Sequence, residues 1–219
     1  MKVAYWFLIL LLFISPVAAA RSMRCDTLYT VVNFRKGHST IDLDYMDNAA
    51  RLKQYADRIA AINTDSTSVL HRIHVRGGAS PEGSTARNMY LSQQRARTVA
   101  AYLADNMELP DSIFEISAAG VDRDMLAAMV DTSSMPQRRR ILAILRDSTL
   151  TPVDSHRYRL IAALADGQPY RYMTTRFFPE MRNAGITAEI YSLLPHTQTP
   201  SADETHALQP DSARHTENV

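Results

Sequence analysis

The chain has 219 residues, 21% of them charged, with 24 Lys and Arg against 23 Asp and Glu for a net charge of +1. That balance removes the electrostatic case for a nucleic-acid partner. A single cysteine excludes an internal disulfide framework.

The chain opens with Met1-Lys2, an uncharged stretch containing WFLILLLFI, then Pro16 and Ala18-Ala19-Ala20. A basic start, an apolar core and a small-residue site predict a secretory signal peptide over residues 1–20. The rival is an uncleaved membrane anchor, because the run is near the lower length limit for spanning a bilayer. Pro16 and the alanines favour cleavage near Ala20. Cys25 follows Ser22-Met23-Arg24 and lacks the small residues that precede a lipid-modified cysteine, so no lipid anchor is expected. At the other end, residues 195–219 carry few large apolar side chains and are expected to be a disordered tail. Residues 28–194 then make one domain. No run of short alternating segments precedes it, so no transmembrane barrel is expected.

Residues 28–34 (LYTVVNF) read as a first strand. Ala49, Leu52, Ala56 and Ile59 recur at helical spacing and predict a helix ending before Asn63. Residues 68–76 form a second strand, followed by a Gly-rich polar turn. A second helix runs from Ser84 or Thr85 to Asn106, with Ala96, Val99, Ala100 and Leu103 as its core stripe. Residues 113–118 make a third strand, and Asp122 leads into a short helix through Val130. Pro136 opens a helix bearing Ile141, Leu142 and Leu145, and Thr151-Pro152 opens another that stops at Asp166-Gly167. The aromatic and basic stretch 167–185 reads as short helix broken at Pro179, and residues 186–191 (ITAEIY) as a fourth strand. The order predicts an α/β (α+β) sandwich, β-α-β-α-β-(α)-β, with a mixed sheet and a helical insertion over about residues 136–183.

The strand, turn and helix spanning residues 73–103 concentrate the chemistry. Unpartnered N–H groups at a helix start favour a carboxylate, the turn supplies Ser80, Glu82 and Gly83, and Asn88 follows in the helix's first turns. Arg95, two turns further on, can fork onto a carboxylate. Each residue has a plainer reading. Arg95 can be a surface ion-pair member, Asn88 a partner for the turn's backbone, Ser92 a small residue that permits close packing, and Gly77 and Gly83 backbone devices.

The pattern Gly77, Gly83, Asn88, Leu91-Ser92, Arg95-Ala96, Val99 and Leu103 resembles the signature of the OmpA-like C-terminal domain family. The resemblance covers residues 28 to about 130. Beyond them, PYRYM and FFPEMRNAG are similar to segments of extended members from Bacteroidetes. It implies non-catalytic, non-covalent binding of the diaminopimelate-containing stem peptide of peptidoglycan in a Gram-negative periplasm, with cell-envelope anchoring and outer-membrane association. Arg95 takes the place of the arginine that grips the diaminopimelate carboxylate. Ser80 stands where the family usually has an aspartate that holds the amino group, and Glu82 is the nearby acid that can supply that charge. Arg182-Asn183 resembles a basic pair that precedes the last strand in shorter members. The ligand-binding set is therefore Ser80, Glu82, Gly83, Asn88, Ser92 and Arg95, with no catalytic residue, metal or cofactor.

Other clusters carry less. His71 and His74 lie three apart on a strand, which points them to opposite faces and speaks against a shared metal. Asp42, Asp44 and Asp47 lack the glycine and glutamate of a calcium loop and read as acids leading into a helix. Arg138-Arg139-Arg140 reads as a solvated flank. No nucleophile with a partnered histidine is found, so no enzyme is expected. The alternative function is an envelope or surface-structure assembly adapter that keeps the fold without peptidoglycan binding, using Tyr170, Tyr172, Phe177 and Phe178 as its partner surface.

Overall fold

The computed structural model describes residues 22–150 and 154–194. The signal-peptide stretch, the tail and the helix start at Thr151-Pro152 lie outside the described residues. In chain order the elements are β1 (Met23–Asn33), α1 (Asn48–Thr64), β2 (Ser68–Ala79), α2 (Thr85–Met107), β3 (Phe114–Val121), α3 (Arg123–Thr132), α4 (Arg138–Arg146), α5 (Asp154–Ala162), α6 (Gln168–Arg176), α7 (Phe178–Met181) and β4 (Asn183–Leu193). The fold is mixed α/β, and the sheet order is β1-β4-β2-β3. β3 runs parallel to β2, while β4 enters antiparallel beside it, pairing Ile73 with Ala188 and Val75 with Ile186.

The main core lies between the sheet and helices α1 and α2. Strand residues Val32, Ile73, Val75, Ala184, Ile186 and Ala188 face Leu52, Tyr55 and Ile59 of α1 and Ala96, Val99, Ala100 and Leu103 of α2. Those α1 and α2 positions recur at intervals of three and four, so helical periodicity alone builds the helix layer. A second core gathers Leu126, Val130, Ile141, Leu145, Ile161, Met173, Phe178 and Met181 from α3 to α7. The helices after β3 thus bury their apolar faces against one another.

Several boundaries move. β2 extends through Gly77 and Gly78 to Ala79, so the glycine pair belongs to the strand rather than to the turn. α1 continues through Asn63 to Thr64. α4 begins two residues after Pro136, because Gln137 takes a left-handed conformation at φ 61° and ends the preceding turn. The break expected at Pro179 falls two residues earlier, at Phe177, and Pro179 sits in the first turn of α7, where its missing N–H costs nothing.

The four aromatic residues offered as a partner surface instead serve the helical core. Phe178 is fully buried, Tyr170, Tyr172 and Phe177 pack against that core, and edge-to-face pairs join Tyr170 to Phe178 and Tyr172 to Phe177. His71 and His74 also depart from expectation. A register shift between Leu70 and Arg72 adds a residue to β2. It places both rings on one face, His71 against Tyr191 and His74 beside Glu189 and Glu115. The acids before α1 make no side-chain cap, since the Asp47 carboxylate accepts no hydrogen bond from the helix start and Asp42 pairs with Arg35. Asn48 does the anchoring there: its amide exchanges hydrogen bonds with the backbone of Asn33 and donates to Asp42 O.

One buried cation holds the helical unit together. The Arg157 guanidinium, from α5, donates to the carbonyls of Ile144, Leu145, Asp147 and Leu150, which are the orphaned acceptors at and beyond the end of α4. Arg157→Met removes those donors while keeping the stem. It is expected to cost about 2 kcal/mol, lowering the melting temperature by several degrees in a calorimetric scan. An unchanged melt would show that water replaces the guanidinium there.

Candidate functional site

The C-terminal end of β2, the first turns of α2 and the loop after β1 converge on a cleft of about 130 Å³. It is lined by Lys36, Gly37, Ala79, Ser80, Glu82, Gly83, Arg87, Asn88, Leu91, Arg95 and Arg182. Sequence order sets up this convergence. Gly77 has its α-carbon so close to α2 that a Cβ would sit 1.8 Å from Ser92 O and 3.2 Å from Ala96 N. The helix can therefore lie almost on the strand, and the side chain one turn beyond Leu91 reaches the strand's end.

That side chain is Arg95, which is only 1% exposed. Its Nε donates to His38 O at 3.0 Å, its Nη1 donates to Gly78 O at 2.8 Å, and its guanidinium lies over the Phe34 ring. Nη2 is buried with no partner. No carboxylate pairs with it among the described residues, so the surface ion-pair reading of Arg95 does not apply. Burial lowers its pKa to about 10, with repulsion from Arg182 and Arg87 acting in the same direction, and it stays charged at neutral pH.

Glu82 is heavily engaged. Oε1 meets Lys36 Nζ at 2.7 Å, Oε2 meets Arg182 Nη1 at 2.6 Å, and the Ser80 hydroxyl donates to Oε2 at 2.9 Å. Burial raises the carboxyl's pKa, but the hydrogen bonds from Lys36 and Ser80 and the charges of Arg182 and Lys36 outweigh it, leaving the group below its ordinary 4.5. Because the folded pKa lies below the unfolded one, Glu82 contributes stability that is full above about pH 4.5 and is lost as pH falls through the folded value. In melts from pH 7 to pH 3, the gap between the protein and its Glu82→Gln variant should therefore close below pH 4.5. A gap that persists at pH 3 would remove Glu82 from the acid limb.

The other expected site residues divide. Asn88 lines the cleft while its amide donates to Gly83 O at 3.4 Å, so it holds the turn as well. Gly83 lies where a Cβ would press on Asn88 Oδ1. Ser92 is a correction: fully buried and outside the cleft, its hydroxyl donates to Met89 O and accepts from Gly120 N, tying α2 to β3. The helix start is also partly used, since Ser84 Oγ accepts from Arg87 N. Sequence reasoning missed Lys36 and Arg87 altogether and gave Arg182 no partner. Arg182 lies 100 residues from Glu82, and only the basic pair before the last strand signalled it.

No curated protein matches the sequence. Among solved structures, the OmpA-like domain of FopA1 from Francisella tularensis is 14% identical, covers 78% of this chain and 76% of that one, and gives a TM-score of 0.40. The peptidoglycan-associated lipoprotein from Burkholderia pseudomallei is 14% identical, with coverage of 72% and 88% and a TM-score of 0.39. The cell wall anchor of the T6SS from Pseudomonas aeruginosa is 13% identical, with coverage of 79% and 88% and a TM-score of 0.36. The OmpA family model matches residues 33–139, which contain the whole cleft except Arg182. Over residues 33–139 this chain is similar to the OmpA family.

Proposed function

We propose that this protein binds the stem peptide of peptidoglycan non-covalently and without catalysis, anchoring itself to the cell wall in the periplasm. Arg95 carries the reading. A buried guanidinium with a free Nη2 at the edge of a cleft is costly unless a charged acceptor completes it, and a ligand carboxylate does so. The diaminopimelate carboxylate of the stem peptide is that acceptor, with Ser80, Gly83 and Asn88 shaping the wall around it. The family match supports the same assignment. Residues 1–20 act as the export signal and residues 195–219 as a tail outside the binding domain.

Co-sedimentation with purified sacculi tests the proposal. The protein is expected in the pellet, and added stem peptide should release it in a concentration-dependent way. Protein that stays in the supernatant at low salt would reject wall binding.

A further inference from the structure

The charges in the cleft say more about the ligand than the binding reading on which this inference rests. Lys36, Arg87, Arg95 and Arg182 line it against a single carboxylate, Glu82. That carboxylate is already held on one oxygen by Lys36 and on the other by Arg182 and Ser80. Among the described residues, the buried side-chain atoms of the cleft that lack partners are Arg95 Nη2 and Arg182 Nε. Both residues are more than nine-tenths buried, and both atoms are donors on cations. No unpartnered buried side-chain acceptor lines the cleft among those residues.

An ammonium group entering this space meets two cations with no carboxylate partner among the described residues, Arg87 and Arg95, and one acid that already serves two others. A carboxylate meets the reverse, two buried and unpartnered N–H groups on positively charged carriers that line the cleft. We propose that the cleft recognises a ligand end whose charged groups are all carboxylates, rather than one that presents a carboxylate and an ammonium together. In a stem peptide, that pairing is the diaminopimelate carboxylate with the carboxylate of the chain end, with the free amino group left outside in water.

Pimelate and meso-diaminopimelate differ only in the two amino groups, so their binding to the exported chain by titration calorimetry isolates the ammonium contribution. Pimelate is expected to bind about five-fold tighter. Ser80→Asp, which adds an acid at the cleft wall, should reverse the order, and Arg95→Met should abolish pimelate binding. Diaminopimelate binding as tightly as pimelate to the unaltered protein would overturn the inference, whether or not Ser80→Asp folds. Pimelate binding that survives Arg95→Met would overturn it too, by placing the dianion on the open surface.

Sacculus co-sedimentation in parallel separates this inference from the reading beneath it. Retention with a preference for diaminopimelate overturns the dicarboxylate inference and keeps wall binding. A pimelate preference without retention supports the inference and overturns wall binding. Binding of neither small molecule overturns the inference.

Discussion

Gly77→Ala is expected to be the most damaging methyl group that can be added to this sheet. The new Cβ would lie 1.8 Å from Ser92 O, 2.7 Å from Ser92 C and 3.2 Å from Ala96 N, all backbone atoms of α2 that no side-chain rotation can move. Relief requires lifting α2 from β2. The lift would break the Ser92 hydroxyl's bond to Gly120 N and pull Val99 and Leu103 away from the core. Overpacking of this kind costs on the order of 3 kcal/mol, a large share of the roughly 5–15 kcal/mol that holds a domain together. The melting temperature should fall by about 10 °C. Gly185→Ala is the matched control: its Cβ would press at 3.4 Å on the ring of Tyr29, which is 64% exposed and free to swing aside. That variant should melt within about 2 °C of the unaltered protein. Equal melts for the two variants would show that the close approach of α2 does not depend on the missing side chain.

Gly77 also shows what the sequence could and could not disclose. The apolar stripe of α2 and the Ser84 start are local patterns, and each appears in the structure where the residues place it. A Gly-Gly pair read locally signals a turn, yet Gly77 is strand, and its lack of a side chain matters only because Ser92 and Ala96 of α2 pass over it. The face on which His71 lies was illegible for a related reason. Alternation holds only while the register is unbroken, and the shift between Leu70 and Arg72 cannot be seen in β2 alone. Within the cleft, Arg95, Asn88, Ser80, Glu82 and Gly83 were legible because they crowd into one segment of the chain. Lys36 and Arg182 arrive from the loop after β1 and from the residue before β4, and only the folded sheet, with β4 set between β1 and β2, brings them to Glu82. The charge balance of the cleft is therefore a tertiary property.

Arg95→Met is expected to uncouple binding from stability. Methionine keeps an unbranched apolar stem over Phe34 and removes a buried cation whose Nη2 is unpartnered in the free protein. Against that gain, the carbonyls of His38 and Gly78 lose their donors, at about 1 kcal/mol each. The opposing effects nearly cancel, because replacing an under-paired buried charge with an apolar group of similar volume is often neutral. The melting temperature should accordingly move by no more than about 4 °C. Binding has no such compensation. The ligand carboxylate would be desolvated beside a thioether, and removing one partner of a buried charge pair costs about 2–5 kcal/mol, or at least a thirtyfold weakening on sacculi. Arg95→Lys restores the charge without the planar fork and should fall between the two, most visibly at low salt where a point charge still attracts. Arg95→Met that folds and pellets with sacculi as the unaltered protein does would remove Arg95 from the ligand, and the open Nη2 would then need a water rather than a carboxylate to complete it.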